Sequence, residues 1–355
     1  KGYIYGRFGN PTGNQTEEKI AALEAYGLTD TEGQPLKLKA ILHASGMAAI
    51  TTLVLANVKA GEKVLTHFSL YGGTQELIDK VLPGLNIETL ITDFKDLNQV
   101  EDVLKNDSSI RLLYIETPAN PTLQCVDIEA LTTLAHRYDC KVSVDNTFAT
   151  PYLQQPFQYG VDFVMHSTTK FMNGHGTAIG GVLLGRDLEY MNTKVTKHFR
   201  LLGGNSNAFD AFLLNSGLKT LEIRMQRHCS NAETVAQFLN THPAVSFVNY
   251  LGLEQHPDHD LCQKQMKHAG ALMSFEVKGG FEAGKKLINR LQLCCSAVSL
   301  GTCDTLISHP ASTTHVGVAR ELRLQSGITD GLIRMSVGIE NVEDIMNDLE
   351  NALSI

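Results

Sequence analysis

Residues 161–176 read VDFVMHSTTKFMNGHG. The first five are apolar and β-prone, the composition of a strand buried on both faces. The run then turns polar through His166, Ser167, Thr168 and Thr169 before it reaches Lys170, and Asn173, Gly174 and Gly176 follow as turn residues. A lysine directly after a buried strand reads in two ways: as a solvated surface charge, or as a nucleophile held at the end of a sheet.

On both sides of this stretch the same pattern repeats. Strand-like AILHA, KVLTH, IETLIT, RLLYIE, KVSVD, FVMHS and GGVLLG alternate with helix-like segments near 47–58, 73–82, 97–105 and 128–138. This alternation predicts an α/β fold whose mostly parallel, doubly wound sheet is covered by helices on both faces. Such sheets bind ligands at the carboxyl ends of their strands, so candidate residues are expected just after strands. A helical stretch over 209–240 then leads into a second region, with strands in VSFVNY and LMSFEVKGG and helices near 283–291 and 342–353. The change sets a boundary near residue 215, with a large domain over 16–215 and a smaller α/β domain over 216–355. Residues 1–15, opening KGYIYGRFGNPTGN, are rich in Gly and Asn and poor in core residues, so they are expected to pack on something outside their own domain. A helical pattern over 15–26, with Ile20, Ala21 and Leu23 on its apolar side, follows.

The 355 residues are 43% apolar and 19% charged, enough to build a large buried core. A net charge of −8 is the wrong sign for a nucleic-acid surface. No apolar run approaches the roughly 20 residues of a membrane span, and a soluble protein is expected. Seven cysteines, an odd number without a CxxC pair, fit free thiols in a reducing cytoplasm. The adjacent Cys294 and Cys295 are expected to pack as small apolar residues, and no metal site is expected. No signal-peptide pattern is visible; the sequence opens at Lys1 rather than Met, so targeting stays open.

Asp145 ends the strand KVSVD, and Lys170 follows 25 residues later at the end of another. In a doubly wound sheet the two can converge on one crevice, although an acid at this place can also cap a helix. A carboxylate facing a lysine suits a pyridine aldehyde: the amine forms a Schiff base and the carboxylate holds a proton on the ring nitrogen. In HASGMAAI, Ser45 and Gly46 end a strand, while Met47 and Ala48 open a helix whose free N–H groups favour an anion such as a phosphate. Ser167 and Thr169 add hydroxyls. Alone, SGMAAI also reads as a plain capped helix. There is no GxGxxG after the first strand, which argues against a dinucleotide.

YGRFGNPT, ASGMAA, LYGGT, ETPANPT, VDNTFATPY, HSTTKFMNGHG, GLKTLEIRM, HPASTTH and LIRMSVGIE occur in the order and spacing of a known group. Over nearly the whole chain the sequence resembles the pyridoxal-phosphate enzymes of cysteine and methionine metabolism, which include cystathionine γ-synthase, cystathionine γ-lyase, methionine γ-lyase and O-acetylhomoserine sulfhydrylase. The resemblance implies an aspartate aminotransferase-like (fold type I) architecture with pyridoxal 5'-phosphate as cofactor. It implies Lys170 as the Schiff-base lysine and proton shuttle, Asp145 as partner of the ring nitrogen, and Gly46, Met47, Ser167 and Thr169 as phosphate ligands. Tyr71 resembles the tyrosine stacked on the ring, Asn120 the asparagine near the ring hydroxyl, and Arg334 the arginine that clamps the substrate carboxylate; a surface salt bridge is its alternative reading. Tyr5 and Arg7 match a pair that reaches a neighbouring subunit's site, which implies a homo-oligomer with shared sites, a tetramer built as a dimer of dimers.

Departures from the group bear on the substrate, a small amino acid. Val298, before Ser299 in AVSLG, stands where cystathionine-handling members typically carry a glutamate, and an apolar residue suits a short thioether. Against this, Gly73 stands where methionine γ-lyases usually carry a cysteine, and HGTAIGG and HPASTTH look more like the sulfhydrylases. The expectation is α,γ-elimination of methionine or homocysteine, with γ-replacement on an activated homoserine ester as the alternative. A non-catalytic binding protein on the same fold would be expected to lack Lys170 or Asp145, and both are present.

Overall fold

A computed structural model describes residues 2–314, 316, 320–325 and 327–354. Seven strands form the larger sheet: β1 (Lys39–His43), β2 (Lys63–Thr66), β3 (Glu88–Ile91), β4 (Ile110–Glu116), β5 (Lys141–Asp145), β6 (Phe163–His166) and β7 (Gly181–Gly185), ordered β1-β7-β6-β5-β4-β2-β3. All neighbouring pairs are parallel except those made by β7, which runs antiparallel to both β1 and β6. The segment joining β6 to β7 carries no regular helix. A parallel return needs a crossover of that kind, so the chain comes back antiparallel.

Both faces of this sheet are covered, and that is why its strands read as continuous apolar runs. Leu112, Tyr114, Phe163, Met165 and Leu183 enter one core; their neighbours in sequence, Leu113, Ile115, Val164 and Leu184, enter the other. The alternation is the period-2 geometry of a strand buried on both sides. The consequence for function is directional: β1, β2, β4, β5 and β6 all end on the same edge of the sheet.

A second sheet holds β8 (Val245–Asn249), β9 (Leu272–Val277), β10 (Cys295–Ser296), β11 (Leu306–Ser308) and β12 (Leu332–Ser336), ordered β10-β11-β12-β9-β8. The helices Leu221–Thr241, Gly280–Arg290 and Val342–Leu353 pack with it, burying Leu239, Leu287, Ile345 and Leu349. One continuous core runs from Val142 in the first sheet to Phe275 in the second.

Several local readings change. The helical stretch 209–240 is two helices, Ala208–Leu218 and Leu221–Thr241. The segment 73–82 passes from α-helix (Gly72–Glu76) through a π turn (Leu77–Val81) into a 3-10 turn (Leu82–Leu85), where Pro83 removes a backbone donor. Cys294 is buried as expected, but its neighbour Cys295 is exposed because β10 is an edge strand. Strand β12 lies inside LIRMSVGIE and was not anticipated as a strand; β10 and β11 are too short to show a period. His315, the last residue of HPASTTH, lies outside the described residues.

Candidate active site

At the shared strand edge a cavity of about 240 Å³ opens between the two sheets. Lys170 reaches it from the turn after β6, where its N–H bonds Ser167 O at 3.2 Å and its carbonyl accepts from Gly174 N at 2.8 Å. The loop between β10 and β11 closes directly on this turn: a Cβ added to Gly301 would stand 2.6 Å from Phe171 N. The Lys170 ammonium donates to Ser299 Oγ at 3.2 Å. Burial, and then the nearby charge of Arg334, lower its pKa below that of an ordinary lysine.

Asp145 sits on the last position of β5, with both carboxylate oxygens engaged. Thr147 donates from its N–H at 3.1 Å and its hydroxyl at 2.5 Å to one oxygen, and Tyr114 donates its hydroxyl at 3.1 Å to the other. Burial raises the Asp145 pKa, while the Thr147 bonds pull it down.

Beside it, Glu116 ends β4 as the register partner of Asp145, and both line the cavity. Glu116 Oε2 accepts from Tyr71 N at 2.7 Å, and its own N–H donates to His67 Nε2 at 3.0 Å. His67 is lowered to about 4 by burial, so it stays neutral and can accept that bond. The Glu116 carboxyl is held well above the usual range, first by burial and then by Asp145. Tyr71, held by this bond just before the helix Gly72–Glu76, is half exposed at the cavity. Asn120 lines the wall from the loop after β4.

The helix Gly46–Asn57 points its amino end into the cavity. Ser45 caps it, its hydroxyl accepting from Ala48 N at 3.1 Å and its carbonyl from Ala49 N at 3.2 Å. The N–H groups of Gly46 and Met47 have no partner among the described residues. A Cβ on Gly46 would fall 2.9 Å from Ser167 Cβ, so only glycine lets the helix start this close to that hydroxyl. Thr169 also lines the cavity, although its hydroxyl already bonds Gly180 at 3.0 Å and 3.2 Å.

Arg334 comes from the second sheet and lies in the middle of β12 rather than after a strand. Its Nη2 donates to Val298 O and Ser299 O, both at 2.8 Å, while the buried Nε has no partner. Burial lowers its pKa to about 10, which leaves it charged near neutrality. Val298 lines the cavity and is itself half exposed; Ser299 touches Lys170 without forming the wall.

Tyr5 and Arg7 stand apart from this cavity. Arg7 Nη1 donates to Arg200 O at 2.6 Å, and its guanidinium lies 5.2 Å from the Tyr5 ring centre and 5.0 Å from that of Phe8. The reading of the sequence missed Glu116, Tyr114, Thr147 and Phe148. Glu116 had a signal: RLLYIE ends an apolar strand on an acid just as KVSVD does.

An amine of lowered basicity, a buried carboxyl and two free N–H groups at a helix start suit the aldehyde, ring nitrogen and phosphate of pyridoxal phosphate. The sequence profile of the Cys/Met metabolism PLP-dependent enzymes matches residues 1–354. An L-methionine γ-lyase of Fusobacterium nucleatum subsp. polymorphum is 48% identical over 359 residues, covering 99% of this chain and 86% of that protein. A cystathionine β-lyase of Bacillus subtilis is 40% identical and spans 99% of this chain and 86% of its own. Among solved structures, cystathionine γ-synthase from Xanthomonas oryzae pv. oryzae superposes with a TM-score of 0.92 at 36% identity, covering 100% of this chain and 88% of that one. A profile match from the first residue to the last but one, over a cavity that suits the cofactor, makes this chain a member of the Cys/Met metabolism PLP-dependent enzyme family.

Proposed function

We propose that the protein cleaves the bond between the γ-carbon and sulfur of methionine or homocysteine. Methionine and water would give methanethiol, ammonia and 2-oxobutanoate. The observation that carries this choice is the apolar Val298 side chain in the cavity lining, together with Ile50, Ile179 and Leu300; the two carboxyls that also line it, Glu116 and Asp145, are already engaged with Tyr71, Thr147 and Tyr114. The similarity to methionine γ-lyases supports it.

In this reading residues 16–215 bind the cofactor and 216–355 contribute the substrate clamp. Bound pyridoxal phosphate supplies the electron sink that makes loss of the Cα proton feasible. Arg334 orients the substrate, since its unpaired buried Nε is a ready donor to a carboxylate and its Nη2 is fixed by two carbonyls. Lys170, its basicity lowered by burial, would take the proton from Cα and then serve at Cβ, and its amine donates to Ser299 Oγ. Asp145 would keep the ring nitrogen protonated, and Gly46, Met47, Ser167 and Thr169 would hold the phosphate. Tyr71 would cover the ring and Asn120 would serve its hydroxyl.

The assembly belongs to the same proposal. Tyr5 and Ile4 are exposed, and Arg7 lies outside its own chain's cavity, which supports an arm that completes a neighbour's site in a tetramer. No helix among the described residues is long and apolar enough to cross a membrane. A cytoplasmic setting rests on the seven free thiols.

γ-Replacement on an activated homoserine ester is favoured by one feature, Gly73, at which a Cβ would stand 2.6 Å from Tyr71 Cε1. Product analysis decides between the two. With methionine as sole substrate we expect methanethiol, ammonia and 2-oxobutanoate in equal amounts. Turnover of O-acetylhomoserine with sulfide, without turnover of methionine, would overturn the choice.

A further inference from the structure

Two stretches of the sequence, GLKTLEIRM (217–225) and HSTTKFMNGHG (166–176), meet at the turn that carries Lys170, and the reaction described above gives no role to the residue that joins them. Arg224 stands at the end of the first turn of the helix Leu221–Thr241, buried and outside the cavity lining. Its Nη1 donates to Phe171 O at 2.7 Å and its Nη2 to Met172 O at 3.3 Å, the carbonyls of the two residues after Lys170. Nη2 also donates to Gly217 O at 2.8 Å, near the end of the helix Ala208–Leu218, and Nε donates to Thr220 Oγ at 3.1 Å. Two glycines make room for this contact. A Cβ on Gly174 would overlap Arg224 Nη1, and one on Gly217 would overlap Asn173 O. Gly174 donates its N–H to Lys170 O at 2.8 Å, so the guanidinium lies against a turn that closes on Lys170 itself.

Holding two helices together does not call for such a group. Each of its four bonds goes to a neutral oxygen, and a buried cation without a carboxylate exchanges its hydration for those bonds alone. The helix dipole also disfavours a cation at this end of Leu221–Thr241. What a planar fork supplies, and an apolar side chain does not, is a fixed direction for two successive carbonyls. Those carbonyls define the main chain on the carboxyl side of Lys170, while the bond from Lys170 N to Ser167 O at 3.2 Å defines it on the amino side. The flexible lysine stem therefore starts from a set origin, and its amine is delivered to a set region of the cavity.

We propose that Arg224 is a positioning residue for Lys170: by fixing the carbonyls of Phe171 and Met172 it sets where the Lys170 amine meets the aldehyde carbon of pyridoxal phosphate, with which the amine condenses as water leaves. This rests on the reading of Lys170 as the lysine that bonds the cofactor.

The test gives the apoenzyme two probes: pyridoxal phosphate, which can bond Lys170, and pyridoxamine phosphate, which carries an amine in place of the aldehyde and cannot. Arg224→Lys keeps the positive charge and loses the fork. With saturating pyridoxal phosphate, the rate at which the visible band grows should fall about tenfold to a hundredfold, the weight of a small misplacement of a reacting atom. The dissociation constant for pyridoxamine phosphate, from fluorescence titration, should stay within about twofold of the parent value, because the phosphate and ring contacts do not involve Arg224. Thr220→Val removes only the bond from Nε and should slow the same step about threefold, so it serves if Arg224→Lys does not fold. An unchanged rate would overturn the proposal. So would a loss of pyridoxamine phosphate affinity as large as the loss of rate, which would mark Arg224 as a support of the whole cavity. A visible band that still forms in Lys170→Ala would show that the reading of Lys170 fails, and the proposal would fall with it.

Discussion

Glu116 and Asp145 are register partners on adjacent parallel strands, so two buried carboxyls enter one cavity side by side. Two like charges that close resist joint ionisation. Asp145 has three hydrogen bonds from Thr147 and Tyr114 to favour its anion, whereas the Glu116 carboxyl is pushed well above the usual range by burial and by Asp145 itself. The pair is therefore unequal: Asp145 has the bonds that favour its anion, while Glu116, pushed further toward its neutral form, accepts from the Tyr71 N–H.

A neutral glutamate should be replaceable by its amide. Glu116→Gln is expected to bind pyridoxal phosphate within about threefold of the parent protein, while Glu116→Ala, which leaves Tyr71 N without its acceptor, should weaken binding about tenfold, the cost of one hydrogen bond. A Gln variant as damaged as the Ala variant would show that Glu116 works as an anion.

Lys170 should react as an unusually weak base. Its folded pKa lies below 10.5 because burial and Arg334 disfavour the ammonium, so the free amine appears at lower pH than on a surface lysine. Competitive acetylation of the apoenzyme, followed peptide by peptide across pH, should give Lys170 a lower midpoint than an exposed lysine such as Lys219. Arg334→Leu, by removing the like charge, should move that midpoint upward. A Lys170 midpoint at or above that of Lys219 contradicts the electrostatics described here.

At Val298 the cavity wall meets the distal end of the substrate. Val298→Glu should shift preference from methionine toward cystathionine by on the order of tenfold to a hundredfold in relative kcat/KM, because a carboxylate pairs with the distal ammonium and penalises a thioether. Both substrates must be measured in protein fully loaded with cofactor. An unchanged ratio removes the main support for a methionine-type substrate.

If the arm completes a neighbour's site, inactive variants should complement. Arg7→Ala and Lys170→Ala each lack an essential group, but a mixed oligomer contains sites with Lys170 from one chain and Arg7 from the other. Mixing under conditions that exchange subunits should restore part of the activity. No recovery after demonstrated exchange places Arg7 outside any shared site.

The doubly wound sheet was legible because most of its strands are apolar runs closed by a polar turn, and Asp145 and Lys170 announce themselves as charges at those closures. Arg334 is different in kind. It lies mid-strand in the second sheet, and only the antiparallel pairing of β12 with β9 and β11 brings it to the cavity. No local pattern encodes that placement. The bond between His166 and Glu24 joins residues 142 apart, and nothing around either marks the other as its partner. The orientation of β7 depended on what the segment after Lys170 lacks, a crossover helix, in a stretch whose Gly and Asn content could as well have preceded one.

Everything proposed for the cavity depends on Lys170 being the residue that holds the cofactor. Borohydride reduction of the holoenzyme, followed by proteolysis and mass spectrometry, locates that attachment directly. The account predicts a reduced pyridoxyl phosphate on Lys170, with its visible absorption bleached and activity lost in proportion. A label on any other lysine, or stoichiometric cofactor retained in a Lys170→Ala protein that still turns over methionine, would contradict it.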